Sequence, residues 1–259
     1  MHSAEREEMI LKLVRANGFI SFKDLDQRLR VSPATVRRDL GRMEDGGLLV
    51  RVHGGAKAVN TAAPEDVGHL SGVPFHVNIA RNPQAKAAIG KAAAQLCREG
   101  EAVIIDGGST TLQMCPHLEQ LGLQVLTNSL HIVSALLPQP RTRISLPAGT
   151  VFREQNIVLS PLDDDGSGQF HASKMFLGAA AVGPFGLLQA DVLLLQAESR
   201  LMERADELIL LADSSKFEAP TGHLLCPLGD IDTVVTDRRI SSQTRRMFRD
   251  AGVKVIVAD

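Results

Sequence analysis

The 259-residue chain contains no tryptophan and no tyrosine, and its aromatic content of 3% consists of nine phenylalanines. Proteins that hold single-stranded RNA by stacking bases on side-chain rings need more than this, so that class is set aside. An uninterrupted run of ~18 apolar residues is also missing, which excludes a membrane-spanning helix. The start of the chain, Met1-His2-Ser3-Ala4-Glu5-Arg6-Glu7-Glu8, has none of the apolar character of a signal peptide, and a cytoplasmic location is expected. Cysteines number three, an odd count that argues against a disulfide framework and for reduced thiols. Nor is there an excess of either charge, since 28 Lys+Arg against 30 Asp+Glu leave a net charge of −2. With 44% hydrophobic and 22% charged residues the chain is an ordinary globular protein, long enough for two domains.

The balanced total conceals an asymmetry. Residues 1–57 carry 11 Lys+Arg against 8 Asp+Glu, a surplus of +3, and the remainder carries 17 against 22, or −5. A basic head on an acidic body fits a modular DNA-binding protein. Within the head, Met9, Ile10, Leu13 and Val14 recur at helical spacing and Gly18 ends that helix. Ser21, with Asp24 three residues on, predicts the start of a second helix through Leu25 and Leu29. Ser32 is an N-cap and Pro33 a first helical residue for a third helix, with Val36, Leu40 and Met43 inward and Gly46-Gly47 as its end. Residues 48–52 read as a strand and His53-Gly54-Gly55 as a turn, closing a small hairpin or wing.

On the third helix, Ala34, Arg38 and Gly41 oppose the apolar stripe, with Thr35 and Arg37 on the flanks. Small residues let a helix approach a groove, and guanidinium forks match guanine O6/N7 or a phosphate. Thr35 and the helix start suit a phosphate oxygen, which sets register without reading bases. On spacing alone, Arg37 and Arg38 also fit a solvated face paired with Asp39 or Glu44.

Residues 58–75, rich in Ala, Pro and Gly without periodicity, read as a linker. From residue 76 to 259 helical and strand-like segments alternate, predicting an α/β domain with a largely parallel sheet. Helices are expected over 86–96, after 107–111 toward Leu118, and over 131–137, 192–204 and 242–251. Strands are expected over 102–105, 123–126, 143–146, 207–212, 232–235 and 253–257. No strand is assigned between Gly149 and Val192.

In such sheets ligands sit beyond the carboxyl ends of the strands. Asp106-Gly107-Gly108-Ser109-Thr110-Thr111 lies at one of these ends, combining glycines for close approach with three hydroxyls suited to a phosphate. It is neither a Walker A loop nor a Gly-x-Gly-x-x-Gly fingerprint, and an unoccupied strand-to-helix turn fits it equally well. Thr127-Asn128-Ser129, Gly149, Lys174, Glu198 and Lys216 add compatible groups, each with a plainer reading: turn former for Asn128, surface charge for Lys216, solvated helical residue for Glu198. Cys115-Pro116-His117 supplies only two metal ligands and reads as a buried thiol beside a polar surface residue. Asp163-Asp164-Asp165-Gly166 lacks the ligand pattern of a calcium loop and reads as a solvated acidic turn.

The string Val31-Ser32-Pro33-Ala34-Thr35-Val36-Arg37-Arg38-Asp39-Leu40, with Arg51-Val52-His53-Gly54-Gly55-Ala56 after it, closely resembles the winged helix-turn-helix of the DeoR family of bacterial transcription regulators. The order Asp-Gly-Gly-Ser-Thr-Thr, Leu-Thr-Asn-Ser, Lys-Met-Phe-Leu-Gly-Ala and Asp-Ser-Ser-Lys-Phe is similar to the same family's C-terminal sensor domain. The stretch from Lys174 to Phe217 looks most like the family branch that contains the ascorbate-utilisation repressor. The resemblance implies an N-terminal winged helix-turn-helix whose third helix enters the major groove, followed by an α/β sensor related in fold to sugar-phosphate isomerases and coenzyme A transferases. Double-stranded operator DNA is the implied partner, contacted by a set comprising Ser21, Ser32, Pro33, Ala34, Thr35, Arg37, Arg38, Arg42, Arg51 and His53. Carried over by position, Gly107, Gly108, Ser109, Thr110 and Thr111 hold a phosphorylated sugar or sugar derivative, with Asp106, Thr127, Asn128, Gly149, Lys174, Glu198 and Lys216 around it. Many members have Gly-Gly where this chain has Pro147-Ala148-Gly149, so the sugar end of the pocket is expected to differ. A repressor of a carbohydrate catabolic operon, acting as a homodimer or tetramer without metal or cofactor, is the function implied. An isomerase-type enzyme carrying a DNA-binding head is the alternative, with Asp106, Glu198 and Lys216 as its proton-transfer groups.

Overall fold

The computed structural model describes residues 6, 7, 9–11, 13, 14, 19–21, 25, 28, 29, 31, 33–46, 48–52, 55–58, 75–153, 155–160, 166, 168–218 and 222–259. Two compact units divide it, Met1–Gly68 and His69–Asp259. Among the described residues no helix is long and apolar enough to cross a membrane.

In the first unit, residues 6, 7, 9–11, 13 and 14 are helical, as are 25, 28 and 29. The third helix, α1, runs Pro33–Asp45. Ile10, Val14, Leu25, Leu29, Val36, Leu40 and Met43 are buried in one cluster, the stripes anticipated from their spacing. Met9 departs from it, being 40% exposed. The wing is richer than a hairpin. β2 (Leu49–Val52) and β3 (Gly55–Ala58) pair antiparallel, and β1 (Phe19–Ser21) adds to β3 with Ser21 opposite Gly55. Ser21 therefore ends a strand, where a helix cap was expected, and Gly55 begins a strand, where a turn was expected. Phe19-Ile20-Ser21 is too short to show a period, which is why it escaped notice.

The second unit is built on a seven-stranded parallel sheet. Its order is β15 (Lys254–Ala258), β14 (Thr233–Asp237), β12 (Ala205–Leu211), β9 (Ala172–Leu177), β4 (Ala102–Ile105), β5 (Gln124–Leu126) and β6 (Arg143–Ser145). Every neighbouring pair is parallel, so all carboxyl ends lie along one edge. The central strand β9 lies in the stretch where no strand was assigned. Its six residues, Ala-Ser-Lys-Met-Phe-Leu, carry a lysine and a serine among the apolar positions and so lack the continuous apolar run of a buried parallel strand. That stretch also holds the hairpin β7 (Thr150–Phe152) with β8 (Ile157–Leu159), and β10 (Ala181–Gly183) and β11 (Gly186–Gln189), which join β13 (His223–Cys226) in a small antiparallel sheet.

Side chains alternate between two cores. Ile105, Phe176, Ile209 and Val235 face one, under α3 (Pro83–Ala94), which follows the short helix α2 (Phe75–Asn78). Ile104, Met175, Leu210 and Val234 face the other, together with Leu201 of α5 (Val192–Met202) and Phe248 of α6 (Ser242–Asp250). The helix expected after residue 111 is a 3-10 helix, Thr111–His117, containing Pro116. Proline removes one N–H donor from the segment and clashes with continued α-helix. α4 (Leu130–Leu136) follows β5, capped by the Ser129 hydroxyl accepting from the Ile132 N–H.

Candidate DNA interface and effector site

In the first unit a charged cluster fixes which face of α1 is outward. The carboxylate of buried Asp39 accepts from Arg6 Nε at 2.7 Å and from Arg42 Nη2 at 2.5 Å, and Arg42 also meets Glu7 at 3.1 Å. The first helix is thereby tied to α1 through Asp39. Arg38 and Ala34 are exposed, Thr35 half-buried, and Arg38 makes no ion pair among the described residues. The solvated-pair reading of Arg38 with Asp39 thus finds no contact, because Asp39 is already engaged. Arg42 is exposed but occupied in this network. Of Ser21, Pro33, Arg37 and Arg51 only the backbone is described, and Ser32 and His53 lie outside the described residues.

In the second unit, the carboxyl edge gathers most of the groups expected there. Asp106, the residue after β4, is buried and lies within Coulombic range of Glu198 of α5. Burial pushes Asp106 up to about 6, against hydrogen bonds from Gly107 and Asn128. Glu198 is raised well above the usual carboxylate range by burial and then by the Asp106 charge, while the Gln189 amide donates to it at 2.6 Å. Glu198 is therefore part of a buried carboxylate pair, where a solvated helical residue was the plainer expectation.

The loop 107–111 is held from behind. The Asn128 Oδ1 accepts from the Gly107 N–H at 3.0 Å. A Cβ on Gly107 would meet Ile157 Cγ2 at 2.5 Å, so any other residue forces Ile157 to shift. The Thr111 hydroxyl donates to the carbonyls of Asp106 and Gly108 at 2.7 and 2.9 Å, which spends it on the loop itself. The hydroxyls and N–H groups of Ser109 and Thr110, and the N–H of Gly108, donate no hydrogen bond among the described residues. These are the donors available to an anion.

Other expected members have different tasks. Thr127 is fully buried and its hydroxyl accepts from the Ser129 N–H, shaping the turn. Gly149 makes a close approach to β8 instead of to a ligand, since a Cβ there would meet the Leu159 carbonyl oxygen at 2.3 Å. Lys174 is corrected outright. It lies near the start of β9, opposite Val103, and its ammonium pairs with Glu101 ahead of β4, at the amino edge of the sheet. Burial works to raise Glu101, yet hydrogen bonds from Lys174 and Ser173 hold it below its usual value. A parallel sheet puts that pair on the edge away from residues 106–111. Cys115 is buried in the core and burial raises its thiol to about 12. Asp163–Asp165 lie outside the described residues.

Two groups at the carboxyl edge were missed. Asp213, after β12, accepts from the Asn82 amide at 2.9 Å and from the Ser215 hydroxyl at 2.6 Å, and so anchors the start of α3. Lys86, in the first turn of α3, is 1% exposed. It shares a stripe with Ile89, Gly90, Ala93 and Ala94, and that helical spacing was the signal that marked it as inward. Lys216, half-buried in the 3-10 turn Ser214–Phe217, lies within Coulombic range of Lys86. A cavity of only about 20 Å³ is lined by Asn128, Ser160 and Arg200 among others, room for about one water.

Two family models match: the DeoR-like helix-turn-helix domain over residues 6–62 and the DeoR C terminal sensor domain over residues 81–238. The HTH-type transcriptional regulator UlaR of Shigella dysenteriae serotype 1 (strain Sd197) is 29% identical over 99% of both chains. Its namesake in Escherichia coli (strain K12 / DH10B) is 28% identical over the same shares. Among solved structures, ribose 5-phosphate isomerase A from Methanocaldococcus jannaschii overlaps 52% of this chain and 55% of its own at TM-score 0.39 and 19% identity. eIF2B delta from Chaetomium thermophilum overlaps 61% of this chain and 57% of its own at TM-score 0.43 and 16% identity. The winged helix-turn-helix, the parallel-sheet sensor and matches to both domain models in order establish that this chain belongs to the DeoR family of helix-turn-helix transcriptional regulators.

Proposed function

We propose that the chain represses a carbohydrate catabolic operon and is released from its operator by a phosphorylated sugar or sugar acid bound at the carboxyl edge of the sensor sheet. The observation that carries the effector reading is the loop Gly108-Ser109-Thr110, whose N–H groups and hydroxyls have no acceptor within the described chain. Asp106, Asn128 and Glu198 surround the sugar end, and Lys216 adds positive charge. The effector is taken to bind unequally to the operator-binding and the released arrangement of the protein. That coupling between ligand and shape is what a sensor needs, because a ligand shifts an equilibrium only through unequal affinity for two states. A two-fold operator read by paired heads requires a homo-oligomer, a dimer or a tetramer.

On the DNA side, Ala34, Thr35, Arg37 and Arg38 present α1 to the major groove, and Arg51 and His53 bring the wing to the backbone. Arg38→Ala, at an exposed position, leaves thermal stability unchanged and abolishes operator retention in a gel-shift assay. Undiminished retention overturns the DNA assignment. A thermal-shift screen against sugar phosphates tests the sensor, since a ligand specific to the folded state raises the melting temperature. Stabilisation by unphosphorylated sugars alone removes the phosphate role from residues 107–111.

A further inference from the structure

Lys86 is one of the largest fully buried side chains among the described residues, and the function outlined above does not use it. Its ammonium donates to two acceptors, both on Asn78: the backbone carbonyl and, at 3.4 Å, Oδ1. Around it stand two cations, Lys216 and Arg81, and one carboxylate, Asp213. That carboxylate is already shared with Asn82 and Ser215. Burial lowers Lys86 to about 8, the mark of a charge that its surroundings do not fully compensate.

Its place relative to the loop follows from two helices. α3 and the 3-10 helix Thr111–His117 both start at the carboxyl edge, and they touch where a Cβ on Gly90 would meet the Gln113 backbone at 2.5 Å. One turn back from that contact are Lys86 on α3 and Thr110, the cap residue, on the other, and Gln113 Nε2 itself reaches back to the Ser109 carbonyl at 3.4 Å. Lys86 therefore flanks the loop whose donors lack acceptors.

Asn78 ends α2, the first described element after the wing strand β3. Besides the Lys86 contact, α2 has one aromatic anchor: buried Phe75 stacks on His131 with ring centroids 4.0 Å apart. His131 lies three residues after Asn128, which holds Gly107. Both anchors of α2 are thus rooted beside residues 107–111.

We propose that Lys86 is a ligand of the effector's phosphoryl group and that, on taking it, its ammonium leaves Asn78 and loosens the segment 75–81 through which the sensor joins the chain leading to the DNA-binding head. This rests on the effector reading above. The bound phosphoryl dianion brings negative charge to the buried Lys86 ammonium, whose two acceptors on Asn78 are both neutral. Release of Asn78 then weakens α2 at its carboxyl end, where Asn78 also accepts from the Arg81 N–H at 3.1 Å.

The test uses the full chain, inorganic phosphate and ribose 5-phosphate as probes, and two readouts: binding by thermal shift, and amide hydrogen exchange over residues 75–81. Phosphate is expected to speed exchange there at least threefold. Lys86→Met is expected to bind at least tenfold more weakly and to lose the exchange response, while its unliganded melting temperature is no lower than the native one. If Ser109→Ala weakens binding tenfold and Lys86→Met does not, the effector site stands and the role of Lys86 is overturned. If Lys86→Met weakens binding but exchange in the native chain ignores both probes, the coupling to α2 is overturned. If the native chain binds neither probe, the effector reading falls and this proposal with it.

Discussion

Replacing Lys86 by methionine should make the unliganded protein more stable, and the gain should vanish in alkali. Burial lowers this lysine from 10.5 to about 8, which at ~1.4 kcal/mol per pH unit corresponds to ~3 kcal/mol. The sign follows from proton counts. Below pH 8 the lysine is charged in both states and the folded state bears the whole cost. Between about 8 and 10.5 the unfolded chain binds more protons, so native stability rises with pH. Above 10.5 both states are neutral and the cost is gone. Methionine has a similar length and no charge, so Lys86→Met gains ~3 kcal/mol at pH 7 and little at pH 10.5. The comparison must be variant against native at each pH, because burial also raises Cys97 and Cys115 to about 12 and Cys226 to about 11, which erodes stability in the same range. With no tryptophan or tyrosine in the chain, urea unfolding is followed by far-UV circular dichroism. A variant less stable than native at pH 7, or a gain unchanged at pH 10.5, refutes the reasoning.

Asp39→Ala removes the carboxylate that ties Arg6 and Arg42, and should destabilise the head, read as earlier loss of its helical signal on heating. Gly107→Ala forces a Cβ to within 2.5 Å of Ile157 and should cost ~1–3 kcal/mol in urea unfolding, with sugar-phosphate binding lost. Native stability should fall as pH rises from about 4 through about 6, because the folded state holds protons on Asp106 and Glu198 that the unfolded chain releases. Glu198→Gln should shrink that fall and move its midpoint to lower pH; a superimposable profile shows that Glu198 holds no extra proton in the folded state.

Stripes at 3.6 spacing made the head legible: Val36, Leu40 and Met43 had to face inward whatever the surroundings, and Arg38 therefore outward. The alternating strands of the sensor followed from continuous apolar runs such as Ala102–Ile105, and Asp106-Gly107-Gly108-Ser109-Thr110-Thr111 followed from its place after one of them. Local pattern failed where neighbours set the structure. β9 carries a lysine and a serine in the middle of the sheet because Glu101 is there to receive them, a contact spanning about 70 residues. Lys174 consequently belongs to the amino edge, although its type and motif pointed to the ligand.

The sequence by itself determined the family, the two domains and the Gly-Gly-Ser-Thr-Thr loop after β4, because each is written in neighbouring residues. Tertiary structure alone decided which charges meet. Direction of the parallel strands assigned Lys174 and Glu101 to one edge and Asp106, Glu198, Asp213 and Lys216 to the other. The packing of α3 brought Lys86 within Coulombic range of Asp213 and Lys216. Such encounters depend on the relative placement of elements far apart in the chain, and no local spacing encodes them.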